Sequence, residues 1–178
     1  LGRIGLCCSA AFLAINQKRT MEQNFEGQRS IIKMYQANGL PVTRGSLMAA
    51  FGCNFQGDVA PATVVDMVGQ LLDLAAEAGE TLEFVSLADT MAWASPLSIR
   101  RVVGAIRDRF PDLTLSLHLH DTRGMGIANV YSGLQMGVEI YDAAVAGLGG
   151  CPFAAHKGAA GNVCTEDVVF LCDEMGIE

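Results

Sequence analysis

Short apolar segments alternate with longer segments of helical pattern along the whole sequence, and this alternation restricts the fold more than any other feature. The short segments are apolar nearly throughout, which is typical of parallel strands covered on both faces. They are Arg3–Cys8, Thr43–Phe51, Leu82–Leu87, Leu115–His120 and Glu139–Ala144. The alternation predicts a parallel α/β architecture, either a doubly wound sheet or a partial TIM (β/α)8 barrel, with about five of the eight βα units that a closed barrel needs.

The segments between the strands carry the start and stop signals of helices. Thr20 and Gln23 have the spacing of a capping box ahead of Met21–Asn38, and Gly39 stands where this helix ends. Further helices are predicted from Pro61 to about Gly79, from Ser95-Pro96 to about Phe110, over Ile127–Met136, and from Thr165 as N-cap to Met175. Because no linker or low-complexity tract divides the chain, residues 1–178 are expected to form a single domain.

Composition and charge narrow the class of protein. The sequence is 51% hydrophobic and 17% charged, as in globular proteins, and its formal net charge of −7 disfavours nucleic acid or an anionic membrane as the main partner. Six cysteines without a Cys-x-x-Cys pair favour free thiols in a reducing cytosol. Residues Ile4–Ala14 fit either a signal-peptide core or a buried strand that runs into a loop, and the βα pattern that follows favours the strand. No apolar run reaches the ~20 residues that span a bilayer.

The fourth predicted strand ends in two histidines separated by one residue, followed by Asp121 and Thr122. Residues two apart on a strand point to the same face, about 7 Å apart, so His118 and His120 would project side by side. Two neutral imidazoles in that arrangement suit one divalent metal ion. The alternative is that they are ordinary polar residues at a strand end.

Other polar residues also follow the predicted strands, at the edge where parallel α/β folds hold their active sites. Asp89 follows the third strand, and Gly147–Cys151 follows the fifth. The glycines suit a mobile loop that brings in Cys151 as an acid or base, or else a structural turn with an inert cysteine. Asn162 and Glu166 are four apart across a helix start and are expected to face one pocket, in a nitrogen and oxygen set suited to Mg²⁺ or Mn²⁺. Asp89 and Glu166 also fit simple helix-end roles.

Several motifs together resemble the 3-hydroxy-3-methylglutaryl-CoA lyase family of TIM-barrel metallolyases. The motifs are His118–Thr122, Asn129, Val145–Phe153, Gly161-Asn162 and Thr165–Asp167, with Ser86–Thr90, Phe51–Gly57 and Ser9–Phe12 upstream. The likeness covers essentially the whole chain, and the glycine–cysteine loop is its most specific part. It implies that the chain corresponds to strands 4–8 of the barrel.

The resemblance implies a metal-dependent lyase that cleaves a 3-hydroxy-3-methylglutaryl-CoA-type acyl-CoA to acetyl-CoA and a keto acid, acetoacetate in the lyase itself. The residues implied are the metal ligands His118, His120 and Asn162, the loop thiol Cys151 that moves a proton, and the substrate-side carboxylates Asp89 and Glu166, with His118 also counted as catalytic. The metal would be Mg²⁺ or Mn²⁺ and the main partner the acyl-CoA substrate, without nucleic acid or membrane. The full-length protein is expected to be a homo-oligomer, a dimer, in the bacterial cytoplasm or the mitochondrial matrix.

Two departures from the family pattern qualify this interpretation. The family's first strand carries an arginine and an aspartate and its second a glutamate, and the sequence does not contain that region. We therefore expect these 178 residues alone to be inactive, to expose unpaired strand edges and to self-associate. The start at Leu1 rather than methionine suggests that the natural N-terminus lies upstream. Extra residues around His156 are expected to form a solvated insertion, with a substrate contact as the alternative.

Two other functions remain open at the level of sequence. The first is a related aldolase or a 2-isopropylmalate- or citramalate-synthase-type enzyme, against which the run His120-Asp121-Thr122 argues. The second is a non-catalytic fragment that binds a metal or a partner chain.

Overall fold

A single parallel sheet forms the centre of the fold in the computed structural model, which describes residues 2–150 and 159–177. Its strands are β1 (Gly2–Cys7), β2 (Val42–Met48), β3 (Phe84–Asp89), β4 (Leu115–Leu119) and β5 (Ile140–Asp142). Each strand is hydrogen-bonded in parallel to the next one along the chain. The predicted five-stranded parallel sheet is therefore confirmed, with strand ends that differ from the predicted ones by up to three residues.

Helices cover one face of this sheet. In the described residues they are α1 (Ala10–Gln17), α2 (Met21–Ala37), α3 (Pro61–Glu77), α4 (Pro96–Arg109), α5 (Gly126–Gln135) and α6 (Thr165–Glu174). The capping box predicted ahead of α2 is present, because the Thr20 hydroxyl accepts from the Gln23 N–H and the Gln23 side chain accepts from the Thr20 N–H. Pro61 begins α3, where its missing N–H costs no helical hydrogen bond.

The strand order decides between the two predicted architectures. A doubly wound sheet reverses its strand order at a switch point, whereas a TIM barrel adds each strand beside the previous one. Here the spatial order is β1-β2-β3-β4-β5, the same as the order in sequence. The described strands therefore form part of a barrel-type sheet.

The two faces of the sheet differ in chemistry. The face beneath the helices is apolar and buried, and its side chains include Ile4, Leu6, Leu47, Val85, Leu87, Leu115, Leu117 and Leu119. The opposite face carries the alternate positions, which include Arg3, Arg44, Ser86, Ser116, His118 and Asp142. Alternation along each strand therefore separates the core from a polar inner face, on which the histidines lie.

Two expectations about helix starts are wrong. Residues after Ser9 do not form a loop, because the Ser9 hydroxyl accepts from the Phe12 N–H and starts α1, which buries Phe12 and Leu13. Thr165 is not the N-cap of the last helix. It is the first helical residue, and Cys164 occupies the cap position without a side-chain cap.

The described residues also test two expectations drawn from composition. None of their helices is both long and apolar enough to cross a membrane. Cys7, Cys8, Cys53, Cys164 and Cys172 are all free thiols, as predicted.

Candidate metal site

The two histidines at the end of β4 converge on one point. Their Nε2 atoms lie 3.2 Å apart, and their ring centroids lie 5.1 Å apart. The Nδ1 atom of His118 lies 3.0 Å from a carboxylate oxygen of Asp142 in β5. Because an ionised carboxylate only accepts hydrogen bonds, this contact places the proton of a neutral His118 on Nδ1 and leaves the Nε2 lone pair available.

The spacing of the two Nε2 atoms fits joint ligation of one metal ion. Imidazole nitrogens bind divalent metals at about 2.1 Å, and two such bonds at a right angle place the nitrogens about 3.0 Å apart. A carboxylate hydrogen-bonded to the other nitrogen is the usual outer partner of a ligating histidine, because it fixes the ring and raises its basicity. His118 and His120 therefore fit as ligands of a divalent metal, with Asp142 as the outer partner of His118.

Asn162 lies beside His120 because the chain returns to the end of β4. The two residues form an antiparallel bridge, flanked on each side by a backbone hydrogen bond of 2.9 Å. In this pattern they are a non-hydrogen-bonded pair, whose side chains lie close together on the same face. Asn162 is therefore placed where its amide oxygen can join the two imidazoles.

Asn162 and Glu166 stand four apart across the start of α6, as predicted, and Asn162 lies in the extended segment that precedes this helix. Glu166 is exposed, and its Oε2 atom accepts hydrogen bonds from the Ala146 N–H and the Cys164 thiol, each at 2.9 Å. These contacts connect Glu166 to the turn after β5.

Electrostatics favours the ligand form of His120. Burial lowers the pKa of this imidazole below its usual 6.5, the neighbouring His118 ring lowers it further, and the backbone of Thr90 acts in the opposite direction. A neutral imidazole is the form that binds metal ions. His120 is therefore available as a ligand at neutral pH.

Asp89 is buried at the end of β3, on the other face from the histidines. Its register partner in β4 is Leu119, whereas His118 pairs with Ala88. One carboxylate oxygen accepts the Trp93 N–H at 2.6 Å, and the other is buried without a hydrogen-bond partner among the described residues. Burial raises the pKa of Asp89 from 3.8 to about 7, against the hydrogen bonds that it accepts from backbone amides. The structure therefore shows Asp89 holding the loop after β3.

Two residues near the site were missed by the sequence reasoning. Asp142 carried no local signal, because its role depends on the register that pairs it with His118. Arg123 lies three residues after His120, donates to the carbonyls of Met91 and Ala92, and stacks on the Trp93 ring at 5.4 Å. Arg123 thus joins the loops after β3 and β4.

Some predicted site residues are not tested by the geometry. Cys151 and His156 lie outside the described residues. Within residues 2–150 and 159–177, no three side chains of His, Cys, Asp and Glu type converge as a metal site. The two histidines and Asn162 would therefore need additional ligands from water, substrate or other chain segments.

Comparison with known proteins identifies related sequences and structures. The sequence model of the HMGL-like family matches residues 3–178. Mitochondrial hydroxymethylglutaryl-CoA lyase from Mus musculus is 36% identical over 169 residues, which are 95% of this chain and 49% of the relative. The chain therefore spans about half the length of the curated relatives it matches.

Solved structures give the same result for the fold. Hydroxymethylglutaryl-CoA lyase from Pseudomonas aeruginosa matches with a TM-score of 0.87 and 32% identity, over 99% of this chain and 56% of that protein. An HMG-CoA lyase from Acinetobacter baumannii, solved in complex with coenzyme A and 3-methylmalate, matches with a TM-score of 0.81 and 36% identity, over 99% of this chain and 54% of that protein. The barrel-type sheet described above is thus shared with HMG-CoA lyases.

Proposed function

This chain belongs to the HMGL-like family, and we propose that the protein containing it is a metal-dependent lyase. Its substrate would be a 3-hydroxy-3-methylglutaryl-CoA-type acyl-CoA, cleaved to acetyl-CoA and a keto acid, acetoacetate for HMG-CoA itself. The observation that carries the proposal is the convergent pair of Nε2 atoms, 3.2 Å apart, with Asp142 behind His118. The similarity to HMG-CoA lyases supports the choice of reaction.

We propose that the five strands correspond to strands 4–8 of the barrel. Since the chain spans about half the length of its relatives, we propose that turnover needs residues beyond these 178. The relatives include proteins named as mitochondrial and as cytoplasmic, and we propose one of these compartments for this protein.

The proposed ligands are His118, His120 and the amide oxygen of Asn162, with Mg²⁺ or Mn²⁺ as the ion. When bound, the ion would polarise the hydroxyl and carboxylate oxygens of the substrate. Asp142 holds the His118 ring through the contact at Nδ1, so that Nε2 faces the site without a rotation of the ring.

The proposed reaction transfers the proton of the substrate's 3-hydroxyl to a base of the site and breaks the bond between C2 and C3. The electron pair of that bond passes to the thioester as an enolate, and Cys151 then protonates the enolate carbon. The chain runs from Gly147 through Gly150 directly into Cys151, so the glycine loop would bring the thiol to the site.

The experiment that tests the proposal uses the protein as expressed from its own gene, freed of metal with a chelator. Added Mg²⁺ or Mn²⁺ should restore cleavage of HMG-CoA, measured as acetoacetate formed. His118→Ala and His120→Ala should each abolish this rescue and lower the affinity for Mn²⁺ in calorimetry. His156→Ala, which removes the third histidine of the sequence, is the matched control for Mn²⁺ affinity. Cleavage that persists without metal, or with both site histidines replaced, would contradict the proposal.

Alternative substrates belong in the same assay. Cleavage of a 4-hydroxy-2-oxo acid, or condensation of acetyl-CoA with a 2-oxo acid, in place of HMG-CoA cleavage would favour the aldolase or synthase alternative.

A further inference from the structure

The turn that follows β5 is conformationally strained. Residues Val145–Gly147 form a 3₁₀ turn in which Ala146 has φ 55° and ψ 23°. This is the left-handed region, which a residue with a Cβ atom adopts at an energetic cost and only when the surroundings hold it there. The chain continues from this turn into the glycine segment that precedes Cys151.

A single carboxylate oxygen holds the strained residue. Glu166 Oε2 accepts the N–H of Ala146 at 2.9 Å, so the bond is made to the strained residue itself. The same oxygen accepts the thiol proton of Cys164 at 2.9 Å. The thiol must be the donor, because an ionised carboxylate only accepts. The Cys164 thiol therefore holds the Glu166 carboxylate in the position from which it accepts the Ala146 N–H.

Backbone contacts bring the two segments into register. The Ala144 N–H donates to the Val163 carbonyl and the Thr165 N–H donates to the Ala144 carbonyl, each at 3.0 Å. Glu166 follows directly after Thr165, so these bonds place its carboxylate beside the turn. The contact of Glu166 with Ala146 is therefore part of a continuous junction between the turn and the start of α6.

We infer that Glu166 is a positioning residue, which together with Cys164 fixes the turn from which the glycine loop departs. Its effect on the reaction would pass through the loop, without contact between its carboxylate and the substrate. This inference rests on the proposed function in assigning the loop to catalysis, and it replaces the substrate-side role that the family resemblance implies for Glu166. The negative charge of Glu166 favours this role, because a carboxylate oxygen accepts two hydrogen bonds more strongly than a neutral oxygen does.

Hydrogen exchange of the Ala146 amide in the protein as expressed gives a direct test that needs no activity. Glu166→Ala removes the acceptor and should speed this exchange at least about fivefold. Glu166→Gln keeps an oxygen that can accept the Ala146 N–H, so the exchange rate should return most of the way to that of the unmodified protein. Cys164→Ser keeps a donor to the carboxylate and should exchange more slowly than Cys164→Ala.

Asp167→Asn is the matched control. Asp167 is the other acidic residue in the first turn of α6, it is exposed, and among the described residues no side-chain hydrogen bond or ion pair joins it to the turn. Its replacement removes the same interaction with the helix dipole as Glu166→Gln does. The Ala146 amide should exchange at an unaltered rate in this variant.

Kinetics separates positioning from direct acid–base catalysis. If Glu166 is a positioning residue, Glu166→Ala should lower kcat about tenfold or more. The kcat of Glu166→Gln should be much closer to that of the unmodified protein. The pH profile of the remaining activity should keep its shape. The inference is wrong if Glu166 acts on the substrate directly. In that case Glu166→Gln would lower kcat as much as Glu166→Ala does, one limb of the pH profile would disappear, and the exchange rate of the Ala146 amide would be unchanged. If no variant shows HMG-CoA cleavage while exchange responds as described, the positioning role stands and the proposed function fails.

Discussion

His118 and Asp142 are linked across the β4–β5 pair, with the imidazole Nδ1 3.0 Å from the carboxylate. The two residues are register partners on neighbouring strands, so the contact is built into the pairing of the sheet. It determines which nitrogen of His118 faces His120. The hydrogen bond from the His118 ring is also the largest cause that lowers the pKa of Asp142, so the carboxylate stays ionised as an acceptor.

Replacement of Asp142 should weaken metal binding without removing a ligand. Asp142→Asn leaves the shape of the side chain but removes the charge and allows the amide to present a donor to Nδ1. Loss of such an outer partner typically costs about 10- to 100-fold in metal affinity. Calorimetric titration of the metal-free protein with Mn²⁺ measures this loss. Asp108→Asn, on an exposed helical surface, is the control. Equal affinities in the two variants would show that the carboxylate does not tune the site.

The sequence was sufficient to predict what depends on local periodicity. The convergence of His118 and His120 follows from the two-residue repeat of a strand, and the buried face of the sheet follows from the apolar runs. Asp142 and Asn162 depend on a strand register and on a chain reversal that no local pattern encodes.

The other differences between the sequence-based predictions and the structure arise from a local hydrogen bond at Ser9 and from the strand register at Asp89. Residues after Ser9 are expected from the sequence to form a loop, but the Ser9 hydroxyl caps the Phe12 N–H and a helix starts instead. The family resemblance implies a substrate-side role for Asp89. Its register with Leu119 places it on the opposite face from the histidines, where it accepts the Trp93 N–H.

Asp89 should make the stability of the protein depend on pH. The pKa of Asp89 is about 7 in the folded protein, against its ordinary value of 3.8, which applies to the unfolded chain. At pH values between these two, the folded protein therefore binds more protons than the unfolded chain. The contribution of Asp89 to the free energy of unfolding should fall as pH rises from about 4 to 7, by on the order of 4 kcal/mol in total. Asp89→Asn cannot ionise, and its side-chain oxygen can still accept the Trp93 N–H.

Urea unfolding at a series of pH values, in the presence of a chelator, measures this contribution. Relative to the unmodified protein, Asp89→Asn should gain stability as pH rises from about 4 to 7, and the difference should level off above pH 7. The comparison of the two proteins cancels the other titrating groups. A stability difference that is constant over this range would mean that Asp89 ionises with an ordinary pKa.

Gly133 in α5 should be essential for the packing of that helix on the sheet. A Cβ atom at this position would lie 2.6 Å from the Tyr141 hydroxyl and 2.7 Å from Cδ1 of Leu117. Leu117 is fully buried, so it has little room to move. Gly133→Ala should therefore destabilise the fold by about 1 to 3 kcal/mol.

Gly104→Ala in α4 is the control for that substitution. Its Cβ atom would make an ordinary contact of 3.8 Å with Met136, so the lower conformational entropy of alanine should stabilise the helix by about 0.5 to 1 kcal/mol. Thermal melts of the two variants should thus shift in opposite directions. A Gly133→Ala protein that melts at or above the unmodified one would show that α5 can move away from the sheet.

Gly161 should keep the start of the glycine loop in place, because a Cβ atom here would meet backbone and not flexible side chains. The atom would lie 2.8 Å from the Leu148 carbonyl oxygen and 3.0 Å from two backbone atoms of Gly149. Gly161→Ala should therefore displace residues 148–149 and lower the free energy of unfolding by about 1 to 3 kcal/mol. Hydrogen exchange at Leu148 and Gly149 should accelerate more than exchange within β4. If both the exchange rates and the stability match those of the unmodified protein, the two segments are not in contact in solution, and the junction between the turn and α6 is looser than the structure indicates.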